Sequence, residues 1–453
     1  MAPRSLAPDR GRAVTGERLV GGAGRPARLP YPSRLFVEVT TRCNLRCAMC
    51  VKESSGQAIR EGHMSRETFA RLAPALPQLD ALVLNGVGEP LLHPELERFV
   101  EAGRRAMPDT GWIGFQTNGQ LLGADRARRL AGAGIDRICL SADAVSPELF
   151  RALRGGGRQE AIERAAAALH DAARRRGRPI ALGVEFVAMR DNLGQLAELV
   201  RWAARNRFEF VIVTHMLPYA EETRGAAAFD TSSDAAQELF RAWSARAAAD
   251  GVDLRRYFEV FMKFRPGAAD LRAVAYVREM VADATARGIT LAVERLLRFD
   301  GELHGRVRDA FAEAAAVARA EGVALTLPAV APARARRCDF VEGGGAFVSW
   351  DGDVHPCYFL WHGYTSHAGG VVKHVRPRRS GNVAERDLLA LWDDAAARAF
   401  RDEVLRYEFA FCYDCNVAPC DFVKPGDSSG DCLLAAVPCG ACLWSTGVFR
   451  CLQ

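Results

Sequence analysis

Lysine is almost missing from this chain. Of 60 basic residues only Lys52, Lys263, Lys373 and Lys424 are lysine, and 55 acidic residues leave a formal charge of +5. Aromatic content is 8%, and no basic stripe is interleaved with aromatics, so a nucleic-acid partner is not expected. No run approaches the ~20 consecutive apolar residues of a membrane span, so no membrane partner is expected. Arg4, Arg10 and Arg12 stand near the start without the apolar stretch of a secretory signal, which points to the cytoplasm. In that reducing compartment the 13 cysteines are expected to be metal ligands rather than disulfides.

With 453 residues, 49% of them apolar and 25% charged, the chain is long enough for two or three globular domains. Residues 1–30 are rich in Gly, Pro and Arg without a period and are expected to form a flexible tail. From 31 to 218 the apolar runs come at βα spacing, which predicts a mostly parallel sheet. The predicted strands are Leu35–Thr40, Ala81–Asn85, Trp112–Thr117, Arg137–Ser141, Ile180–Val187 and Phe208–Thr214. Helices are predicted at Pro94–Ala106, Asp125–Ala133, Gln159–Arg175 and Leu193–Arg205, the last with Asn192 as N-cap. Six βα units fall short of a closed barrel, so a side opening is expected, with chemistry at the C-terminal strand ends.

Behind the first strand comes Cys43-Asn44-Leu45-Arg46-Cys47-Ala48-Met49-Cys50. Three thiolates so spaced can hold three corners of a cubane [4Fe–4S] cluster, which takes four. One iron is then open to a substrate atom, as in catalytic metal sites. A zinc knuckle is the rival, but its nearest further ligand, His63, lies beyond a polar loop.

CxxxCxxC after a first strand resembles the radical S-adenosylmethionine (SAM) superfamily. Asn85-Gly86-Val87-Gly88-Glu89-Pro90 is similar to its GGEP signature, Thr117-Asn118-Gly119 to its TNG turn, and Ser141-Ala142-Asp143 with Arg154-Gly155 to its SxDG…RG segment. The resemblance implies a partial (β/α)6 TIM-like barrel, with Cys43, Cys47 and Cys50 on a SAM-binding [4Fe–4S] cluster. It assigns Glu89 to the methionyl ammonium of SAM, Ser141 to its ribose or carboxylate, and Arg154 to its carboxylate. Asn118 joins this set, although its side chain can also serve its own turn. Met49 stands where the family has an aromatic, and its thioether can pack on adenine. Cys139 reads as a core thiol and His215 as a satisfied strand-end residue.

Residues 219–335 are Ala-rich and read as a helical linker or insertion, with helices at Ser233–Ala249, Ala269–Ala286 and Gly305–Glu321. Strand-like pieces occur at Ile289–Val293 and Val323–Leu327. Residues 336–453 change character and read as a small cysteine-rich domain, opening with a hairpin around Asp351-Gly352. Its thiols are Cys338, Cys357, Cys412, Cys415, Cys420, Cys432, Cys439, Cys442 and Cys451. The order resembles a SPASM domain and implies two auxiliary [4Fe–4S] clusters, with zinc in the CxxC pairs as the rival. Nine thiols are one more than two such clusters need, and the spacing leaves their partition open. The SPASM pattern is also broken, since Lys424 stands where a fourth cysteine is expected.

The resemblance further implies reductive cleavage of SAM to a 5′-deoxyadenosyl radical, with electrons from a donor such as flavodoxin or ferredoxin. Its leading substrate is a peptide or protein, and maturation of a metalloenzyme or its cofactor is the alternative. Tyr358 replaces the Asp base of the sulfatase-maturing branch, which disfavours formylglycine formation because a phenol is a weak base near neutral pH. Phe359, Leu360 and Trp361 are expected to wall the substrate cavity. A non-catalytic iron–sulfur electron carrier or scaffold is the reading from another class.

Overall fold

Side-chain alternation divides the molecule into an inner and an outer layer. The computed structural model describes residues 26–53, 59–415 and 438–453. Six strands, β1 (Arg34–Val37), β2 (Ala81–Val83), β3 (Trp112–Thr117), β4 (Arg137–Ser141), β5 (Ala181–Ala188) and β6 (Phe210–His215), follow the predicted positions. Each pairs in parallel with the next. Along each strand successive side chains point to opposite faces. One set, including Leu35, Val37, Leu82, Ile113, Phe115, Leu140, Val184 and Val213, packs beneath the crossover helices. The other, Phe36, Ala81, Val83, Cys139 and Ile212, forms a separate inner core. Both faces are covered, which is why these strands read as near-continuous apolar runs.

The crossover helices are Leu96–Ala106, Ala124–Ala133, Gln159–Arg176 and Leu196–Arg205. The last begins later than predicted, after a 3₁₀ turn over Leu193–Gln195. Asn192 precedes that turn but makes no side-chain cap. Its amide instead donates to the carbonyls of Asp143, at 2.9 Å, and Val187, at 2.8 Å, and so ties the ends of β4 and β5 together.

The sheet continues past the predicted six units on both edges. β7 (Ala324–Thr326) adds in parallel to β6. β8 (Gly345–Val348) adds in parallel to β1. β9 (Asp353–His355) turns back on β8 to complete the predicted hairpin, and β12 (Gly381–Asn382) pairs with β9. The resulting order is β12-β9-β8-β1-β2-β3-β4-β5-β6-β7. β10 (Tyr364–Ala368) and β11 (Val371–Val375) form a ribbon of their own. Thus the hairpin read as the start of a separate domain is part of the barrel sheet, and the region read as a helical linker supplies one edge strand.

Other expectations are corrected locally. Residues 26–30, predicted as part of a flexible tail, are instead anchored, since Ala27 is buried and its carbonyl accepts from Arg401 Nε at 2.9 Å. Residues 1–25 lie outside the described residues. Ile289–Val293 is no strand; Leu291 and Ala292 are buried and Val293 opens the short helix Val293–Leu297. That helix shares a core with Asp234–Ala249 and Ala268–Ala286. The helix Gly301–Glu321 instead packs on the sheet through Val307, Phe311 and Ala314. Among the described residues no helix is long and apolar enough to cross a membrane.

Residues 445–452 run alongside 329–337 and on to the inner face of the barrel sheet. Backbone N–H groups of Ala329, Ala333 and Arg337 donate to the carbonyls of Gly447, Thr446 and Ser445 at 2.8, 2.9 and 2.8 Å. Arg450 N then donates to Thr214 Oγ1 of β6 at 3.1 Å, and Leu452 enters the inner core.

Candidate functional site

The predicted residues of the first half of the chain stand at or follow the C-terminal ends of β1 to β4, except Arg154, which caps the helix Pro147–Leu153 after β4. Cys43, Cys47 and Cys50 lie on the loop after β1 and carry no disulfide. Cys50 N donates to Cys47 O at 3.0 Å, which tightens the loop, and Ala48 N donates to Leu153 O at 3.1 Å, which anchors it. Burial raises the pKa of all three thiols, that of Cys50 to about 11; the Glu89 carboxylate adds to the effect at Cys43, and neighbouring thiolates add to it at Cys47 and Cys50. Such thiols become thiolates when a cation replaces their protons. His63 bridges to Thr40 and stacks edge-on against His93, with ring centres 5.4 Å apart.

The Gly-Glu-Pro turn packs directly under this loop. A Cβ on Gly88 would lie 2.4 Å from Thr40 O and 2.6 Å from Arg42 O, so only glycine fits. Glu89 N donates to Arg42 O at 2.8 Å. The Glu89 carboxylate is 2% exposed. It accepts from Thr117 Oγ1 at 2.6 Å, Asn118 N at 2.7 Å and Leu91 N at 3.0 Å. Burial raises its pKa, and these three donors oppose that rise. Two oxygens offer about four acceptor positions, so one remains for a ligand donor.

Asn118 does more than serve its own turn. Its Oδ1 accepts from Gln120 N at 3.0 Å, while its amide donates to Asn44 Oδ1 at 2.8 Å and lies 3.9 Å from Cys43 Sγ. Gly119 has φ +71°, as the predicted turn requires. Ser141 ends β4 in register with Glu185 of β5. Met49 is half-buried on the cysteine loop. Arg154 lies 2.5 Å from Asp143 Oδ2 in a charge contact that is not an aligned hydrogen bond. Burial works against its charge, yet Asp143 and the Cys47 thiol hold its pKa above the ordinary value.

Several polar groups facing the inside of the barrel escaped the sequence reading. Glu185 stands on the inner face of β5, where burial pushes its carboxyl up to about 7. Glu38, fully buried at the end of β1, accepts from Val87 N at 3.1 Å. Its two oxygens lie 3.0 and 3.1 Å from His362 Nε2, which comes from the C-terminal region. The inward parity of Glu38 and Glu185 was the available signal, since a carboxylate at an inner position of a buried strand needs a partner. His362 gave none, because its partner is 324 residues away.

Cys139 is a fully buried inner-core thiol, and His215 is a buried strand-end residue bonded through Nε2 to Ala329 O at 3.1 Å. Tyr358 is engaged, its hydroxyl accepting from Gln453 Nε2 at 2.8 Å. Phe359 and Leu360 pack in an apolar cluster with Val51, Leu217, Tyr364 and Cys442 that joins the barrel mouth to the C-terminal region. Trp361 leans edge-on against Phe347, 4.8 Å between ring centres. Cys338, Cys357, Cys442 and Cys451 border a cavity of about 990 Å³. Cys439 packs on the same apolar cluster as Cys442, and Cys412 and Cys415 flank buried Tyr413 and Asp414. Cys420 and Cys432 lie outside the described residues. Among the described residues no three His, Cys, Asp or Glu side chains converge on a single metal ion. A cubane, which spreads its thiolates over separate iron corners, is the group this donor set fits.

Comparison with known families decides the assignment. Residues 37–218 match the radical SAM superfamily, and residues 338–416 match the SPASM iron–sulfur cluster-binding domain. The chain is a radical SAM enzyme with a SPASM domain. A relative covering nearly the whole molecule is the tungsten-containing aldehyde ferredoxin oxidoreductase cofactor-modifying protein of Pyrococcus furiosus. It is 26% identical over 425 residues, 92% of this chain and 96% of that protein. GTP 3′,8-cyclase of Caulobacter vibrioides is 32% identical over 213 residues, 45% of this chain and 56% of the cyclase. Among solved structures, SuiB of Streptococcus suis bound to its precursor peptide SuiA aligns with TM-score 0.45 at 16% identity, over 86% of this chain and 70% of SuiB. The radical SAM domain binds a [4Fe–4S] cluster and SAM, and the SPASM domain carries auxiliary clusters. The three thiols after β1 fit the former. They lie on the loop that the Gly88 and Leu153 contacts clamp.

Proposed function

We propose that this radical SAM enzyme is a maturase acting on a metalloenzyme or its cofactor. The observation that carries this reading is the similarity to a cofactor-modifying protein over 92% of the chain. SAM bound at the first cluster supplies a 5′-deoxyadenosyl radical that abstracts hydrogen from an unactivated carbon.

In this reading Cys43, Cys47 and Cys50 hold that cluster on a loop braced from below by Gly88 and Leu153. Glu89 offers its remaining acceptor position to the methionyl ammonium in a charge-assisted contact. Arg154, kept charged by Asp143, meets the methionyl carboxylate, and Ser141 reaches the ribose or carboxylate. Asn118 steadies the cysteine loop through Asn44, and Met49 packs on the adenine. The apolar cluster around Phe359, Leu360 and Tyr364 keeps water from the chamber. Electrons come from a flavodoxin or ferredoxin.

The test is genetic and chemical together. Deleting the gene in its host should change the mass of the cofactor extracted from a metalloenzyme, and the reconstituted protein should restore it. An unchanged cofactor mass in every metalloenzyme of the deletion strain refutes the reading. Modification of a peptide or protein is the second reading, in keeping with the match to the SPASM iron–sulfur domain.

A further inference from the structure

The matched iron–sulfur domain ends at residue 416 and contains Cys338, Cys357, Cys412 and Cys415. Position within that domain alone would group these four. The fold groups them otherwise. Arg336 Nη1 donates to Cys439 O at 2.7 Å and Nη2 to Gly440 O at 3.2 Å. Arg337 N donates to Ser445 O at 2.8 Å, so residues 336–338 are laced to 439–445. Cys442 is buried in the apolar cluster against which Cys338, Cys357 and Cys439 pack. Cys442 N also donates to Cys439 O at 3.1 Å, a turn that brings its two thiols together.

Two cations, half-buried Arg336 and buried Lys373, lie on the aromatic rings that flank Cys412. Arg336 lies over the Phe411 ring at 4.4 Å, and Lys373 Nζ lies 3.7 Å from the centre of the Tyr413 ring. Lys373 is 5% exposed, and its ammonium has no hydrogen-bond partner among the described residues. A buried ammonium needs an anion nearby. A cubane on four thiolates carries net negative charge and meets that need without a direct hydrogen bond.

Cys451 borders the same cavity but belongs to the barrel. Arg450 N is bound to Thr214 Oγ1 of β6, Leu452 sits in the inner core, and Gln453 is bound to the Tyr358 hydroxyl. These contacts seat residues 450–453 on the inner face, although Arg450 Nη1 also donates to Asp339 Oδ2 at 2.9 Å.

We propose that Cys338, Cys357, Cys439 and Cys442 hold one auxiliary [4Fe–4S] cluster, and that Cys451 is not among its ligands. The cluster is thus completed by residues beyond the matched domain. The inference rests on the SPASM domain being loaded with clusters, and the experiment separates the two. The full-length protein, reconstituted anaerobically, should hold about twelve irons as three cubanes. Cys439→Ala/Cys442→Ala should hold about eight and keep the SAM-responsive EPR signal of the first cluster. Cys451→Ala should keep the auxiliary EPR signal that Cys439→Ala/Cys442→Ala loses. The milder Cys442→Ser, which retains an oxygen donor, should shift the EPR spectrum of that same cluster only. Loss of that signal in Cys451→Ala, or an unaltered spectrum in Cys442→Ser, overturns the partition. About four irons in the unsubstituted protein, with zinc on the remaining thiols, overturns the loading itself.

Discussion

Gly155 offers the sharpest test of how the cysteine loop is held. It has φ +56°, and a Cβ there would lie 2.2 Å from Arg46 O and 2.5 Å from its carbonyl carbon. Those are backbone atoms between Cys43 and Cys47, so no side-chain rotation relieves the clash. Its neighbour Gly156 is the control, with φ +93° and nothing within 4 Å of where a Cβ would stand. Either Gly→Ala change places alanine in a left-handed conformation, at about 1–2 kcal/mol. Only Gly155→Ala adds overpacking, about 1–3 kcal/mol. Gly155→Ala should therefore be the less stable of the two by about 1–3 kcal/mol in denaturant unfolding. Because the relief must move the loop, SAM cleavage to 5′-deoxyadenosine should fall at least about tenfold, as a shift of about 1 Å suffices for such losses. Gly156→Ala should cleave SAM nearly as the parent does. Equal stability and equal cleavage in the two variants refutes the claim that this contact sets the loop.

Three further outcomes are expected. Replacing Cys43, Cys47 and Cys50 together with Ala should remove about four of about twelve irons and abolish 5′-deoxyadenosine formation, by iron assay and chromatography. Glu89→Gln leaves an NH₂ group facing a backbone or hydroxyl donor now bonded to the carboxylate. It should weaken SAM binding by about 1–3 kcal/mol, measured calorimetrically with the cluster intact; an unchanged affinity argues against its role. Burial pushes His215 down to about 4 from its ordinary 6.5. The unfolded chain therefore takes the proton first, and this contribution to stability is whole above pH 6.5 and lost as pH falls toward 4. Between pH 7 and pH 5 the loss is about 2 kcal/mol, and His215→Gln should remove that part of the pH slope in urea titrations.

Local pattern was enough for much of this molecule. The apolar runs at βα spacing placed β1 to β6 because each strand buries both faces against its own neighbours. The placement of the cysteine loop, Glu89, Asn118 and Ser141 on one side was legible because each stands at or after a strand end, and parallel strands bring all such ends together. The helix Gln159–Arg176 ends one residue from its prediction, where Gly177 takes φ +69°.

What depends on distant segments was not legible. β8 joins β1 across some 310 residues, through pairs such as Arg34 with Gly345, and no local window contains both. The same holds for Glu38 with His362 and for Thr214 with Arg450. Cysteine spacing names candidate thiols but not their groups, because chain proximity and spatial proximity part company once loops close. The amino-acid sequence by itself determined the six parallel strands and the three thiols on one loop after the first of them. Only the tertiary structure decided that residues 445–452 run back against the barrel sheet and that Cys439 and Cys442 lie beside Cys338 and Cys357. The reason is physical: periodicity follows from each element's own burial, whereas pairing between remote segments is chosen by packing of the whole.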